Sequence, residues 1–272
     1  METAYAVWTV ECYTIMTDYA DQTIEERRAA RNAALVEPDL SALEAGDPTG
    51  PCGHEYGLRT CTRLTTNYRE VYRRTSMDVK PQEVIDCLRD ANVTDWCLMG
   101  LHGYVGYMPQ PRATQDVDVM VPNSQKKKAM NAISARWPDL EIRELDVVIR
   151  FADPGEIDIH GKAVSVIDLM LPWNQLHQTI LSKYVVEDGH TGSRIPTVEA
   201  AIVCKYAALI SPSRVAEKKD FDAGDLRRLI RTSHPNHNLD TISNLANEVF
   251  DGGGKEIRDF IDCALNEKPF PV

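Results

Sequence analysis

The sequence predicts an α/β protein, specifically a short mixed sheet that carries three aspartates, is flanked by helices and is followed by a helical C-terminal part. Two patterns support this class. Residues 116–121 place a valine at every second position, which is the period of a half-buried strand, and 164–171 form an apolar run of strand length. Residues 126–137 and 198–209 instead repeat apolar side chains every three or four positions, which predicts amphipathic helices around the sheet.

The composition is that of an ordinary globular chain. Its 272 residues are 43% hydrophobic and 26% charged, enough for one large domain or two small ones. The formal net charge of −11 disfavours non-specific binding to nucleic acid or to an acidic membrane, unless a local basic patch overrules the average field. With no long apolar run and no basic signal-peptide start, we expect a cytoplasmic protein with no membrane partner. Scattered cysteines without a C-x-x-C pair fit reduced thiols.

Residues 1–80 form a separate compositional region, an N-terminal extension without a catalytic motif. The pattern of Thr23 and Glu26 is a capping box, and the helix-favouring residues after it predict a helix over 24–37. The glycines and prolines of 38–57 predict a loop or linker. Three arginines within 69–74 could bind phosphate, or they could lie on a solvated helix face.

The predicted core, 81–232, alternates helices and strands, and a helical cap, 233–272, follows it. Its first helix starts at Pro81, where a proline costs no hydrogen bond. The next elements are a strand over 96–99, a short helix over 101–107, a strand over 116–121, a helix over 126–137, strands over 144–151 and 164–171 with a short strand over 157–160 between them, and a helix introduced by 195–197 that ends near 210. The cap contains predicted helices over 239–250 and 255–265, separated by three glycines.

One stretch in the middle of the chain concentrates the residues that carry chemistry. Its first strand stops at Gly100, where a residue without a Cβ lets the backbone turn sharply and approach a ligand. The first N–H groups of the short helix after it point at that opening, which suits an anion. The next strand places Asp116 and Asp118 on one face, roughly 7 Å apart at their Cα atoms.

Paired carboxylates on one strand face can hold one or two divalent cations. Without a nearby cysteine or histidine, such hard oxygen ligands favour magnesium or manganese over zinc. Asp168 supplies a third candidate carboxylate, because a single charge within an apolar strand is costly unless a metal or a partner stabilises it. Asp158 is the alternative third carboxylate. An isolated D-x-D motif is more often only an exposed strand face, so the assignment depends on its surroundings.

The order of strand, glycine, short helix, Pro-Arg-Ala-Thr and D-x-D resembles the nucleotidyltransferase superfamily, in particular small bacterial proteins of the abortive-infection toxin type. The resemblance runs from about 82 to 230. Gly100 matches the first residue of the usual Gly-Gly or Gly-Ser pair, whereas Leu101 stands where the second is expected. Arg112 and Thr114 match the Arg-x-Thr that precedes the two metal-binding aspartates of such proteins. The resemblance therefore implies that these four residues surround the nucleotide.

Two later segments extend the resemblance. Lys205 interrupts an otherwise apolar helical stripe, so its ammonium must reach solvent or pair with an anion. It resembles the family lysine that contacts the triphosphate. The segment 214–230 resembles the Lys-Asp and Asp-Leu ending of those proteins, which implies that Lys219 contacts phosphate and that Asp220 orients a lysine. The simpler interpretation of Asp220 is that it only caps its helix.

The activity implied by the resemblance is magnesium-dependent transfer of a nucleoside monophosphate from an NTP to an acceptor. Asp116 and Asp118 would hold the cations, while Asp168 would complete a metal site and help to deprotonate the attacking hydroxyl. The acceptor could be an RNA end, a protein hydroxyl or a small molecule, and a toxin role implies a neutralising protein partner. In the alternative hypothesis, Leu101 blocks the phosphate cradle and leaves a catalytically dead fold that binds or regulates.

Overall fold

The computed structural model describes residues 23–26, 53–72, 77–108, 111–158 and 160–271. The chain divides into two units, and all the packing discussed below belongs to the second of them, from Leu43 onward. Among the described residues, no helix has both the length and the apolar character that crossing a membrane requires.

The first unit is described only at its capping box. Thr23 donates hydrogen bonds to Glu26 from its backbone nitrogen at 2.7 Å and from its hydroxyl at 2.8 Å, and the Glu26 nitrogen donates back at 3.2 Å. Residues 24–26 are helical, as the sequence predicts. The remainder of the predicted helix and the predicted loop as far as residue 52 lie outside the described residues.

A five-stranded mixed sheet forms the centre of the described part of the second unit. Its strand order is β1-β2-β5-β4-β3, in which β2 and β5 pair in parallel and all other neighbours pair antiparallel. The predicted α/β class with a mixed sheet is confirmed. The strands are β1 Cys97–Leu98, β2 Val117–Met120, β3 Glu141–Glu144, β4 Val148–Ile157 and β5 Ala163–Met170.

Helices cover this sheet and continue beyond it. Pro81 is the first residue of one of these helices. The Thr197 hydroxyl caps another, which begins at Val198, by accepting a hydrogen bond from the Ala200 nitrogen. The helices are α1 His54–Tyr72, α2 Pro81–Asp90, α3 Gly100–Tyr104, α4 Lys126–Arg136, α5 Gln175–Lys183, α6 Val198–Ile210, α7 Ala216–Ser233, α8 Leu239–Asn247 and α9 Gly253–Leu265. A separate hairpin, β6 Val185–Asp188 and β7 Ser193–Pro196, lies between α5 and α6.

Alternate side chains of β2 face two different hydrophobic cores. Its valines Val117 and Val119 are buried in one core, together with residues of α2 and α4 such as Leu88 and Ile133. Met120 faces the other core, which is built from α6, α7, α8 and α9. Because side chains alternate along a strand, the acidic residues of β2 share the face of Met120. The candidate site is thereby placed between the sheet and the C-terminal helices.

Several elements differ from the sequence prediction. The predicted strand over 144–151 spans the end of β3, a turn and the start of β4, because the chain reverses where the Leu145 nitrogen bonds the Val148 oxygen at 2.9 Å. The strand β3 is an edge strand of mostly exposed polar residues and has no apolar pattern to reveal it. Helix α1 begins at His54, inside the predicted loop, and its buried Leu58 and Cys61 pack into the two cores.

The side chain of Arg69, on α1, links separate parts of the backbone. It is buried and donates hydrogen bonds to the backbone oxygens of Met77 at 2.7 Å and Gln115 at 2.5 Å, and it pairs with Asp78 at 3.2 Å. Its position therefore matches neither the phosphate-binding nor the solvated interpretation. Its bond to Gln115 holds the chain at the residue before the first candidate metal ligand.

Candidate active site

Three aspartates meet at the junction of β2 and β5. Asp118 and Asp168 are direct partners in the parallel pairing of these strands, and Asp116 lies two residues earlier on the same face. One carboxylate oxygen from each of the three lies within 4.8 Å of the other two. Asp158 lies instead in the turn after β4, where its carboxylate accepts hydrogen bonds from the nitrogens of His160 and Lys162 at 2.8 Å. The geometry brings Asp168, and not Asp158, to the pair.

The three carboxylates disfavour one another's charge. Burial raises the pKa of Asp118 well above its ordinary value, and the charges of Asp116 and Asp168 raise it further. Burial also raises the pKa of Asp168, although a hydrogen bond from the Ser165 hydroxyl opposes the shift. Arg150, its partner on β4, lies 3.6 Å from its carboxylate. The cluster therefore needs positive charge, and its oxygen ligands suit a hard divalent cation.

Thr114 orients one of these ligands. Its hydroxyl donates a hydrogen bond to a carboxylate oxygen of Asp116 at 3.1 Å. The Thr65 hydroxyl of α1 in turn accepts from the Thr114 nitrogen at 3.2 Å and donates to the Thr114 oxygen at 3.1 Å. Such outer contacts fix the direction of a metal ligand. Thr114 therefore acts on the site through Asp116.

The glycine turn packs directly against the aspartates. Gly100 has a φ of +55°, and a Cβ built on it would lie 2.0 Å from an Asp118 carboxylate oxygen. The turn is fixed by the Met99 nitrogen, which donates to the Asp118 backbone oxygen at 2.8 Å. The next side chain, Leu101, is only 4% exposed and packs into the helical core. The Leu101 side chain, at the second position of the predicted phosphate-binding turn, therefore points away from the opening.

A cleft of about 600 Å³ opens beside this turn. That volume is within the usual range of small-molecule sites. Its charged lining is Asp118, Lys205, Arg214 and Asp222, beside the backbone of Gly100. Its apolar lining comes mainly from α6, with Met170 at the end of β5 and Trp173 after it. A groove of about 730 Å³ between α1, α2 and the β6–β7 turn is larger, but the aspartates do not line it. The chemistry therefore favours the smaller cleft.

Lys205 is held by two buried carboxylates. Its ammonium lies 2.7 Å from Asp222 and 3.1 Å from Asp225, and both carboxylates are 1% exposed. The ammonium also lies 4.9 Å from the ring centroid of Tyr104. Of the two interpretations open from the sequence, pairing with an anion is therefore correct and snorkelling is not. Its positive charge also lowers the pKa of Asp118.

Three arginines complete this network. Arg112 binds Asp225 with two nitrogens, at 2.8 and 3.3 Å, and Arg214 binds Asp222 at 2.8 Å. Burial raises the pKa of Asp225, but hydrogen bonds from Arg112 and the charge of Lys205 outweigh this and hold it below its usual value. Arg228 also lies 3.8 Å from Asp225, so four cations surround the two carboxylates.

Helix α7 presents a different face from the one that the sequence suggested. Lys218, Asp222 and Asp225 share one face at i, i+4 and i+7, and the charge of Lys218 lowers the pKa of both Asp118 and Asp168. Asp220 is exposed on another face and does not cap the helix, whose N-cap is Val215, while Lys219 is half-buried. Sequence reasoning gave no role to Asp222 or Asp225, because the charged residues of this segment cannot be told apart without the packing of the helix.

Comparisons with known proteins find structural neighbours at low similarity. The sequence matches no protein-family model and no curated relative. An antigenic nucleotidyltransferase-like protein from Paracoccidioides brasiliensis is 18% identical with a TM-score of 0.43, over 69% of this chain and 90% of that chain. Terminal uridylyl transferase 4 from Trypanosoma brucei with bound CTP is 14% identical with a TM-score of 0.29, over 78% of this chain and 74% of that chain. At these values, the function has to be argued from the site itself.

We expect Gly100→Ala to damage the site more than a matched glycine substitution. A methyl group there must displace the Asp118 carboxylate, so Mn²⁺ affinity should fall by about ten-fold or more. Gly161→Ala is the control, because Gly161 also has a positive φ, +74°, but faces open space. It should cost about 1–2 kcal/mol of unfolding free energy from backbone strain alone. Calorimetric Mn²⁺ titration and urea unfolding measure the two effects; equal Mn²⁺ affinity of both variants would contradict the proposed contact.

We expect Asp118→Asn to stabilise the metal-free protein at neutral pH. Because the native pKa of Asp118 is raised, its contribution to stability is complete below about pH 4 and is lost as the pH rises through that raised native pKa. The asparagine variant lacks this loss, so its melting temperature should exceed that of the wild type near pH 7. Added Mn²⁺ should stabilise only the wild type.

Asp158→Asn is the control, because the pKa of Asp158 is shifted in the opposite direction. Backbone hydrogen bonds lower the pKa of Asp158, so its contribution is present above its ordinary pKa and is lost as the pH falls. The control should not raise the melting temperature at neutral pH. A melting temperature of Asp118→Asn below that of the wild type at pH 7 would show that the aspartates do not repel one another as inferred.

Proposed function

We propose that this protein transfers a nucleoside monophosphate from an NTP to an acceptor hydroxyl and releases pyrophosphate. The observation that carries the proposal is the meeting of Asp116, Asp118 and Asp168 within 4.8 Å beside a cleft that Lys205 and Arg214 line. Carboxylates at this spacing suit one or two Mg²⁺ or Mn²⁺ ions. Bound metal would supply positive charge to the phosphate oxygens and to the attacking oxygen. The acceptor, a toxin role and a neutralising partner stay predictions of the sequence resemblance.

In the proposed step, the acceptor oxygen attacks the α-phosphorus while the bond from that phosphorus to the bridging oxygen of the β-phosphate breaks. The electron pair leaves with pyrophosphate, and the proton of the acceptor hydroxyl passes to a base. Asp168 is suited to this role because its pKa is raised by burial, which brings it closer to the working pH. Asp116 and Asp118 position the cations, and Thr114 keeps Asp116 in its orientation.

The cationic network is suited to the triphosphate. Positioning and charge neutralisation supply most of the catalysis in phosphoryl transfer. Lys205 lines the cleft while Asp222 and Asp225 hold its ammonium in place, and Arg214 lines the same cleft. Arg112 acts through Asp225, to which it is bound. We add Lys218 to the nucleotide-binding set because its charge reaches the aspartates, alongside the earlier predictions for Lys219 and Asp220.

The position of Leu101 favours the active enzyme over a catalytically dead fold. The dead-fold hypothesis rests on a bulky side chain that blocks the phosphate cradle, but Leu101 is buried in the helical core. The backbone of Gly100 meanwhile lines the cleft. A backbone N–H group at this turn could bind phosphate whichever side chain follows it.

We expect Asp116→Ala and Asp168→Ala to abolish transfer while the protein stays folded. Loss of a ligand should lower the rate by more than about 100-fold, since weakening an outer-shell contact alone costs 10–100-fold. The assay incubates the protein with Mg²⁺, each α-labelled NTP and a cell extract, and follows both the label on acceptors and the pyrophosphate released. Asp158→Ala is the control and should keep wild-type turnover. Wild-type turnover by either site variant would show that the aspartates are not the metal ligands.

We expect Lys205→Met to lower both stability and nucleotide affinity. The substitution keeps an apolar stem but leaves Asp222 and Asp225 with one cation fewer, which should cost about 1–3 kcal/mol of unfolding free energy. It should also weaken binding of Mg²⁺-NTP. Lys127→Met, on the exposed side of α4, is the matched control and should change neither quantity. Urea unfolding and calorimetry separate the effects: unchanged NTP affinity would remove Lys205 from the nucleotide site.

A further inference from the structure

A tryptophan stands exposed on the wall of the cleft. Trp173 lines the same cleft as Asp118 and Lys205, and it is 64% exposed, although tryptophan is a highly buried residue on average. His177 packs against it with perpendicular rings whose centroids are 5.7 Å apart. Burial lowers the pKa of His177, which favours a neutral imidazole there. The indole is therefore oriented by a neighbour while most of its surface stays open.

Two elements of the cleft run from charged to apolar residues. Along β5 and the chain after it, Asp168 is followed by Met170 and Trp173, and the latter two line the cleft. Along α6, Lys205 is followed by Ala208 and Ile210, which also line it. Five residues span at most about 17 Å in extended chain and about 7.5 Å in a helix. The cleft thus has a charged part for phosphates and, within the reach of one nucleotide, an apolar part.

We propose that Trp173 is the platform on which the base of the bound NTP stacks. This inference rests on the proposed function, and it adds the subsite that takes the nucleobase. Stacking fits the observations because every base has an aromatic face and an exposed indole offers a flat, rigid partner. The neutral imidazole behind the indole adds no charge that would alter the preference for a neutral ring. The platform orients the ribose and the α-phosphate toward the aspartates.

The test compares nucleotides with inorganic tripolyphosphate, which has the phosphates but no base. Binding of Mg²⁺-ATP and of Mg²⁺-tripolyphosphate is measured by calorimetry on the wild type, Trp173→Ala, Trp173→Phe and Trp137→Phe. Trp137 lies at the end of α4, packed against the other core, and is the matched control. Tryptophan fluorescence is followed in the same titrations.

Trp173→Ala should bind ATP about 10- to 100-fold more weakly and tripolyphosphate with wild-type affinity. Trp173→Phe should keep most of the ATP affinity but lose the quenching that ATP causes in the wild type, and Trp137→Phe should keep both. Equal ATP affinity of Trp173→Ala and the wild type overturns the platform and leaves the proposed function standing. Equal weakening of ATP and tripolyphosphate overturns it too, because the effect would then be structural. If the wild type binds neither probe, the proposed function fails together with the platform.

Discussion

Mutual repulsion of three carboxylates is the constraint around which the described part of the molecule is built. The parallel pairing of β2 and β5 sets Asp118 directly beside Asp168, and the sheet gives neither side chain room to retreat. Burial and the charges of its two neighbours raise the pKa of Asp118 well above its ordinary value, so its charged form is disfavoured unless positive charge lies close by. The surrounding elements supply what the cluster lacks: a side-chain-free turn on one side and positive charge on the other.

The positive charge is itself kept in place by negative charge. Asp222 and Asp225 are almost completely buried, and a buried carboxylate is tolerated only when cations satisfy it. Lys205, Arg112 and Arg214 do so, and in return their charged groups are held at defined positions away from the three aspartates. A site for a highly charged substrate must avoid collapsing on itself when the substrate is absent. Two carboxylates placed behind the cations achieve this separation of the acidic cluster from the basic one.

The sequence predicted the site better where strand periodicity decides the outcome than where helix register does. In β2, valine alternates with aspartate, and in β5, Asp168 is a single carboxylate within an apolar run. These patterns singled out Asp116, Asp118 and Asp168, and the structure brings the three together. In α7 a shift of one residue turns a side chain by about 100°. The acidic and basic residues of this helix follow one another closely, so Lys218 and Asp222 could not be told from Lys219 and Asp220 without the packing of the helix.

The edge strand β3 and helix α1 escaped prediction for a different reason. The strand β3 is mostly exposed, so its formation depends on hydrogen bonding to β4 and not on any apolar pattern. Helix α1 mixes polar and aromatic residues, and its buried Arg69 looks like a surface residue until its partners at Met77 and Gln115 are known. Both elements are specified by tertiary contacts that local sequence does not encode.

The short helix α3 joins the two charged clusters mechanically. Its first residue, Gly100, abuts the Asp118 carboxylate, and its last, Tyr104, donates a hydrogen bond to Asp225 at 2.7 Å. Five residues of helix form a stiff spacer, so the separation between the aspartates and the lysine network is set by helical geometry rather than by loop conformation. The length of α3 thus sets the spacing of the two clusters: lengthening α3 by one residue would move both ends out of register, even though every charged side chain remained present.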